Sequence, residues 1–157
     1  EMLVTISIMA MLSAIVITYG RTGERQIALL KDQARVINAV LRAKSLAVQT
    51  YSSGEQVCGY GVHFSSDGDF IIFKDLSDDC GLSDQQYSGS GEEVAVSKLD
   101  SNLKFSQLDI TDILFIPPEP VTVLLPAKEE ALIVIGAKDG FSEVKIKVTD
   151  AGQVSVN

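Results

Sequence analysis

The sequence predicts an α+β protein: a long N-terminal α-helix, part apolar arm and part amphipathic, packed on an antiparallel β head of two small sheets. Three observations lead there. An uncharged apolar run opens the chain, a helical apolar periodicity continues it, and strict two-residue alternation broken by hairpin turns fills the rest. The boundaries expected from these patterns are an arm over 1–23, an amphipathic helix over 24–52 and a β head over 53–157. The chain has 157 residues and a formal net charge of −8, yet 46% of it is hydrophobic. The sequence pI is near 4.5 and the mean hydropathy is +0.22. That apolar content excludes a disordered chain, and the acidity argues against a general nucleic-acid binder.

Charge and hydrophobicity occupy different parts of the chain. Residues 1–20 carry only Glu1. Residues 21–50 carry Arg21, Arg25, Lys31, Arg35, Arg42 and Lys44 against Glu24 and Asp32, a net +4. Residues 51–157 carry 7 Lys and 18 acids, a net −11.

Met2 to Tyr19 forms an uncharged run of 18 residues. As a helix it reaches about 27 Å, close to the thickness of a bilayer core. A secretory signal peptide would place basic residues before the apolar run and a cleavage site after it. Here an acid precedes the run and Arg21 and Arg25 follow it. A single-span anchor is the simpler expectation, but it leaves Glu1 unexplained, since a carboxylate beside an apolar segment is costly without a partner. Met2, Leu3, Val4, Ile6, Ile8, Met9, Met11, Leu12, Ile15 and Val16 are the candidate packing residues of this arm. Gly20 and Gly23 lie at its end. Each costs about 1 kcal/mol relative to Ala inside a helix, so the pair marks a place to bend or unwind.

From Glu24 to about Thr50, Ile27, Leu30, Ala34, Ile37, Leu41 and Val48 form one helical stripe. Leu29, Val36, Val40 and Ala47 form another beside it. The simple reading is a core helix of the following domain. The apolar face is wide, however, and also suits a helix with two partners, its own sheet on one side and other helices on the other.

The β head is expected to begin with Val57–Phe64, placing Cys58, Tyr60, Val62 and Phe64 on one face, and an Asp67-Gly68 turn leads to Phe70–Lys74. Further strands are expected at Glu93–Leu99, Asp112–Ile116, Val121–Leu125, Ala131–Ala137, Glu143–Val148 and Gln153–Val156. Val144, Ile146 and Val148 should point inward. Lys138-Asp139-Gly140 and Asp150-Ala151-Gly152 resemble hairpin turns. Pro117-Pro118-Glu119-Pro120 cannot lie within a sheet and is expected as an extended surface loop. The two cysteines, Cys58 and Cys80, are expected to pair. That bond would close a loop of about 23 residues, contributing about 3 kcal/mol in the loop-entropy model.

Catalytic patterns do not assemble. The one histidine, His63, sits in an alternating strand with no nucleophile spaced for it. One His and two Cys make no zinc site, and the pair lacks the spacing of a redox motif. The stretch Asp75–Glu93 concentrates Asp75, Asp78, Asp79, Asp84, Glu92 and Glu93 without the spacing of a calcium loop, so a solvated loop is the expectation. Gly89-Ser90-Gly91 lacks the Lys-Ser/Thr and helix of a phosphate loop. The chain is therefore expected not to be an enzyme and to need no metal or cofactor.

The segment from Glu1 through Met2-Leu3-Val4 to Ile15, a glutamate leading an apolar helix, resembles the N-terminus of type IV pilins and type II secretion pseudopilins. The stretches QARVINAVLRAKSLAV (33–48), GYGVHF (59–64), DILFIPPEP (112–120) and VTDAGQVSV (148–156) resemble the GspH/FimT-like pilin domain. Family members carry a short apolar lead before that glutamate, so residues upstream of Glu1 are expected. The resemblance implies an N-terminal helix wrapped by a two-sheet head. It implies that Glu1 pairs with the methylated terminal amine of a neighbouring subunit and so sets axial register. It implies that the Gly20–Gly23 region is where the helix melts on assembly, although the proline often found there is missing.

Three functions follow from these readings. The first is a structural subunit of an extracellular type IV pilus-like filament at the bacterial surface, a helical homopolymer of this chain with an inner-membrane single-pass pool before assembly. Its implied partners are the pilus assembly machinery and prepilin peptidase. The second is a minor pilin or H-type pseudopilin that primes a type II secretion or DNA-uptake filament. Nucleic acid is not an expected partner, since residues 149–157 hold Asp150 and no Lys or Arg. The third is a membrane-anchored binding domain that does not polymerise.

Overall fold

The computed structural model describes residues 2–53 and 57–156, and among these all side chains except those of 16–22 and 51–53. One α-helix, α1 (Met2–Ser53), leads into nine strands: β1 (Gly59–Phe64), β2 (Asp69–Asp75), β3 (Glu93–Lys98), β4 (Leu103–Leu108), β5 (Asp112–Ile116), β6 (Val121–Leu125), β7 (Glu130–Ala137), β8 (Glu143–Thr149) and β9 (Val154–Val156). The strands form two antiparallel sheets, one ordered β3-β2-β1-β5-β6 and the other β4-β7-β8-β9. The protein is thus α+β with two sheets, as the periodicities predict.

The reason lies in which residues each element turns inward. On α1, Leu29, Val36, Val40, Ala43 and Ala47 are buried in one core with Tyr60, Val62 and Phe64 of β1, Phe70 and Ile72 of β2, and Ile113 and Phe115 of β5. The second sheet closes the same core with Ala131, Ile133 and Ile135 of β7 and Ile146 and Val148 of β8. Val144 packs against that core half-buried. The small alanines at 39, 43 and 47 let the sheets approach the helix, and the large side chains come from the strands. Cys58 is buried just ahead of β1 but belongs to the disulfide with Cys80 rather than to this core.

Two connections differ from the sequence expectation. Pro117-Pro118-Glu119-Pro120 is not an extended loop but the turn of a hairpin, with Ile116 and Val121 the last pair of β5 and β6. The prolines still stay out of the ladder, because they cannot donate to it; they occupy the turn just beyond it. The second difference is β4, which is absent from the sequence reading. It pairs with β7 along Leu103↔Ala137 to Leu108↔Ile133, with a bulge between Phe105 and Gln107. The bulge breaks the alternation after Leu103 and Phe105, and the edge position leaves Lys104, Ser106 and Gln107 in water, so the period-two signal is weak.

Turn chemistry follows the glycines. Gly152 has φ +68°, a conformation that other L-residues rarely adopt, and a Cβ there would lie 2.5 Å from Thr122 Oγ1. Gly61 is required for space. Its position on β1 faces away from the helix, where a Cβ would lie 2.5 Å from Phe73 Cε1 and 2.6 Å from the Ile113 carbonyl oxygen. Gly61→Ala is therefore expected to lower unfolding stability by about 2 kcal/mol. Gly91→Ala, where a Cβ meets nothing within 4 Å, should change it by less than about 0.5 kcal/mol. Chemical denaturation of the full chain in detergent measures both, and equal midpoints would refute the steric account.

Candidate functional site

Two surfaces stand out because they expose what a folded chain normally hides. The first is the arm. Every residue of Met2–Ile15 is exposed, and none contributes to the core. Met2 and Leu3 are more than 80% accessible, and Ile15, the least accessible of the arm's large side chains, is still 45% accessible. The arm is apolar all round rather than along one stripe, the pattern of a helix meant for burial on every side. Two of its hydroxyls are turned back onto the helix: Thr5 Oγ1 donates to the Met2 carbonyl and Ser7 Oγ to the Leu3 carbonyl, both at 2.8 Å. They therefore add no unsatisfied polar group to the arm's surface.

The backbone stays helical through Gly20 and Gly23, and a Cβ at Gly23 would meet nothing within 4 Å. Among the described residues no helix is long and apolar enough to cross a membrane. Glu1 and the side chain of Val16 lie outside the described residues, as do the surroundings of Gly20, so the register and hinge expectations rest on the sequence.

The second surface is the outward stripe of α1. Of the two stripes seen in the sequence, Leu29, Val36, Val40 and Ala47 face the sheets, whereas Ile27, Leu30, Ala34, Leu41 and Val48 are exposed. Ile37 lies half-buried between them. The helix is held in this orientation by polar clamps that composition alone does not display. Asp32 is 1% exposed; it accepts a hydrogen bond from the Asp100 amide and another at 2.8 Å from Arg35 Nη1. Arg35 also donates to the Lys98 carbonyl at 2.9 Å and lies 5.6 Å from the centroid of the Phe70 ring. Their i, i+3 spacing is the only sequence signal for this clamp. Where the arm leaves the head, Arg25 pairs with Asp139 of the β7–β8 turn. An open groove of about 550 Å³ runs there, lined by Glu24, Arg25, Asp100, Asn102, Lys138 and Asp139 among others. Five of its nine lining residues are charged, with Ala28, Leu103 and Ala137 between them.

The acidic loop lies across the sheet from the helix. Cys58 and Cys80 are disulfide-bonded, as their even count predicts, and anchor it to the start of β1. The Tyr87 ring packs 4.9 Å from that of His63 and 5.8 Å from that of Phe73, on the face of β1 and β2 that looks away from α1. His63 Nδ1 in turn meets Asp112 Oδ1 at 2.9 Å, so the histidine is built into the sheet. The Tyr87 hydroxyl donates to Glu93, which with burial pushes its pKa up to about 12. Glu92 accepts from the Leu76 and Ser88 amides, and Ser83 donates to Asp75. Among the described residues no group of three or more His, Cys, Asp or Glu is placed to hold a metal ion.

No family model matches the chain, and no curated protein does. Among solved structures, it is similar to the minor pseudopilin EpsH of the type II secretion system of Vibrio cholerae. The TM-score is 0.49 and the identity 12%, over 81% of this chain and 94% of that one.

Asp75 offers a test of the loop's electrostatics. Burial raises its pKa above the usual 3.8, Glu92 and Asp84 push the same way, and the Ser83 hydrogen bond opposes them. A raised folded-state pKa means that the native state binds the proton more tightly than the unfolded chain. The charged form therefore destabilises the fold above the folded pKa, and the penalty fades as pH falls through it. Asp75→Asn keeps an acceptor for Ser83 and removes the charge. It is expected to melt higher than the parent near neutral pH, with the advantage disappearing below about pH 3.8, the ordinary pKa of a free aspartate. A difference in melting temperature that does not change with pH would contradict this.

Proposed function

We propose that this chain is a structural subunit of a type IV pilus-like filament and is not an enzyme. The arms pack together at the filament centre and the acidic heads face water. The observation that carries this reading is the arm itself, apolar on every side from Met2 to Ile15, exposed along its whole length and outside the core of the head. Each large apolar side chain it hides from water contributes about 1.5–3 kcal/mol. Nine such side chains, from Met2 to Ile15, are exposed in the single chain. Before assembly the same run, continued to Tyr19, serves as an anchor in the inner membrane. The resemblance of Glu1–Ile15 to the pilin N-terminus supports a register role for Glu1, whose charge is tolerable in an apolar bundle only when paired.

A second reading, a minor pilin or pseudopilin that primes a short filament, draws on the resemblance of GYGVHF and DILFIPPEP to the GspH/FimT-like domain. These stretches form β1 and β5, which pair through Tyr60↔Phe115 at the middle of the first sheet. Imaging sheared surface filaments and identifying their main component by mass spectrometry separates the two readings, since a priming subunit would be scarce along the shaft. Glu1→Ala is expected to leave the membrane level of the subunit unchanged and to cut filament number about tenfold, a loss of about 1.4 kcal/mol or more in assembly. Wild-type filament numbers in that variant would sink the register role.

A further inference from the structure

The outward stripe of α1 and the acidic loop are complementary surfaces on opposite sides of one molecule. Ile27 is 69% and Leu30 59% exposed on the helix, with Leu41 and Val48 continuing the seam. Lys31 and Arg42 are exposed along one flank of this seam. From Ile27 to Thr50 the single acid is Asp32, which is turned inward and bonded to Arg35 and the Asp100 amide. The helix surface left to water over this span therefore carries no acid: an apolar seam flanked by Lys31 and Arg42, with Asn38, Ser45 and Gln49 as neutral polar side chains. The loop is of opposite charge: residues 75–97 contain no Lys or Arg, and of their six acids Asp78, Asp79, Asp84 and Glu93 are exposed while Asp75 and Glu92 are buried. Within it Leu82 is 82% exposed, flanked by the exposed carboxylates of Asp79 and Asp84.

We propose that the seam from Ile27 to Val48 receives the acidic loop of a second copy of this chain. Leu82 sits against Leu30, Ala34 and Leu41, with Asp79 and Asp84 opposite Lys31 and Arg42. This inference rests on the filament reading above and names the contact between heads. Three features carry it. The charges are of opposite sign at both surfaces, which favours and orients the contact. A seam-to-seam contact would instead set the Lys31 and Arg42 rows of two copies against each other. The loop cannot reach its own seam, because its Tyr87 packs on the face of the first sheet that looks away from α1. A contact between two different surfaces of identical chains is heterologous and, where its rotation does not close a ring, propagates into a filament. The loop is also held before docking by the Cys58–Cys80 bond and by the Tyr87, Ser83 and Glu92 hydrogen bonds, so ordering costs on contact are small.

The test uses the full chain in assembling cells, with a photo-crosslinking amino acid at position 82 and, separately, at position 9 in the arm. Position 82 is expected to link to residues 27–48 of another copy, located by mass spectrometry. Lys31→Glu with Arg42→Glu should lower that yield by about tenfold or more, the scale of 1.4 kcal/mol. Adding Asp79→Lys and Asp84→Lys should restore it. Links from position 9 in each variant confirm that the subunits still fold and assemble. If position 9 links copies while position 82 links elsewhere, to another protein or to nothing, the proposal is overturned and the filament reading stands. A position 82 link unaffected by the charge reversals overturns it as well. If neither position links copies, the filament reading fails and takes the proposal with it.

Discussion

The packing of one helix face against two sheets is the constraint on which the rest of this structure depends. Neither sheet could close the core alone, because both turn their apolar sides toward Leu29, Val36, Val40, Ala43 and Ala47. The helix therefore acts as the third wall of the head. Having been used on one side, it cannot bury its opposite stripe, and Ile27, Leu30, Leu41 and Val48 remain in water. The arm extends the same helix past the head, where nothing among the described residues covers it. Exposure of apolar surface here results from a helix longer and more apolar than one small head can enclose.

Polar contacts decide how the helix is turned about its axis. Asp32 is a charge placed where a hydrophobic residue would pack, and it is tolerable because an amide and a guanidinium hydrogen-bond to it. Arg35 relays that anchor to the Lys98 carbonyl and the Phe70 ring. At the other end, Lys44 donates to the Gly152 carbonyl at 3.2 Å. These contacts sit at both ends of the buried stripe, so a rotation that hid the outward stripe would break them. The same geometry divides the charge, with a basic face on the helix and acids on the far side of the first sheet.

Much of the architecture was legible because its signals are local. The uncharged run, the two helical stripes, the alternation of Val144, Ile146 and Val148, and the glycine turns each follow from neighbours within a few residues. The strand Leu103–Leu108 was not legible, since a bulge and an edge position left it with little alternation. The proline segment was correctly excluded from the sheet, but its turn depends on how Ile116 and Val121 pair, which is a property of the sheet. Of the candidate assembly residues, the arm's apolar side chains were identifiable as a block. The Asp32–Arg35 clamp was visible only as an i, i+3 pair with no indicated partner.

The acidity and hydrophobicity that look contradictory as averages were separable from the sequence alone. An apolar arm, a basic helix of +4 and an acidic head of −11 follow from counting residues in order. That separation, the α+β class and the pairing of the two cysteines can all be read from the order of residues. Which helix stripe enters the core and which stays outside is set by the fold. Both stripes have the period of a helix, and the choice depends on the shape of two sheets and the position of Asp100 and Lys98, far along the chain. The placing of the acidic loop opposite the helix was decided in the same way, by Tyr87 stacking on His63 and Phe73 across the sheet. Local periodicity sets what each segment can bury, and long-range packing selects what it does bury.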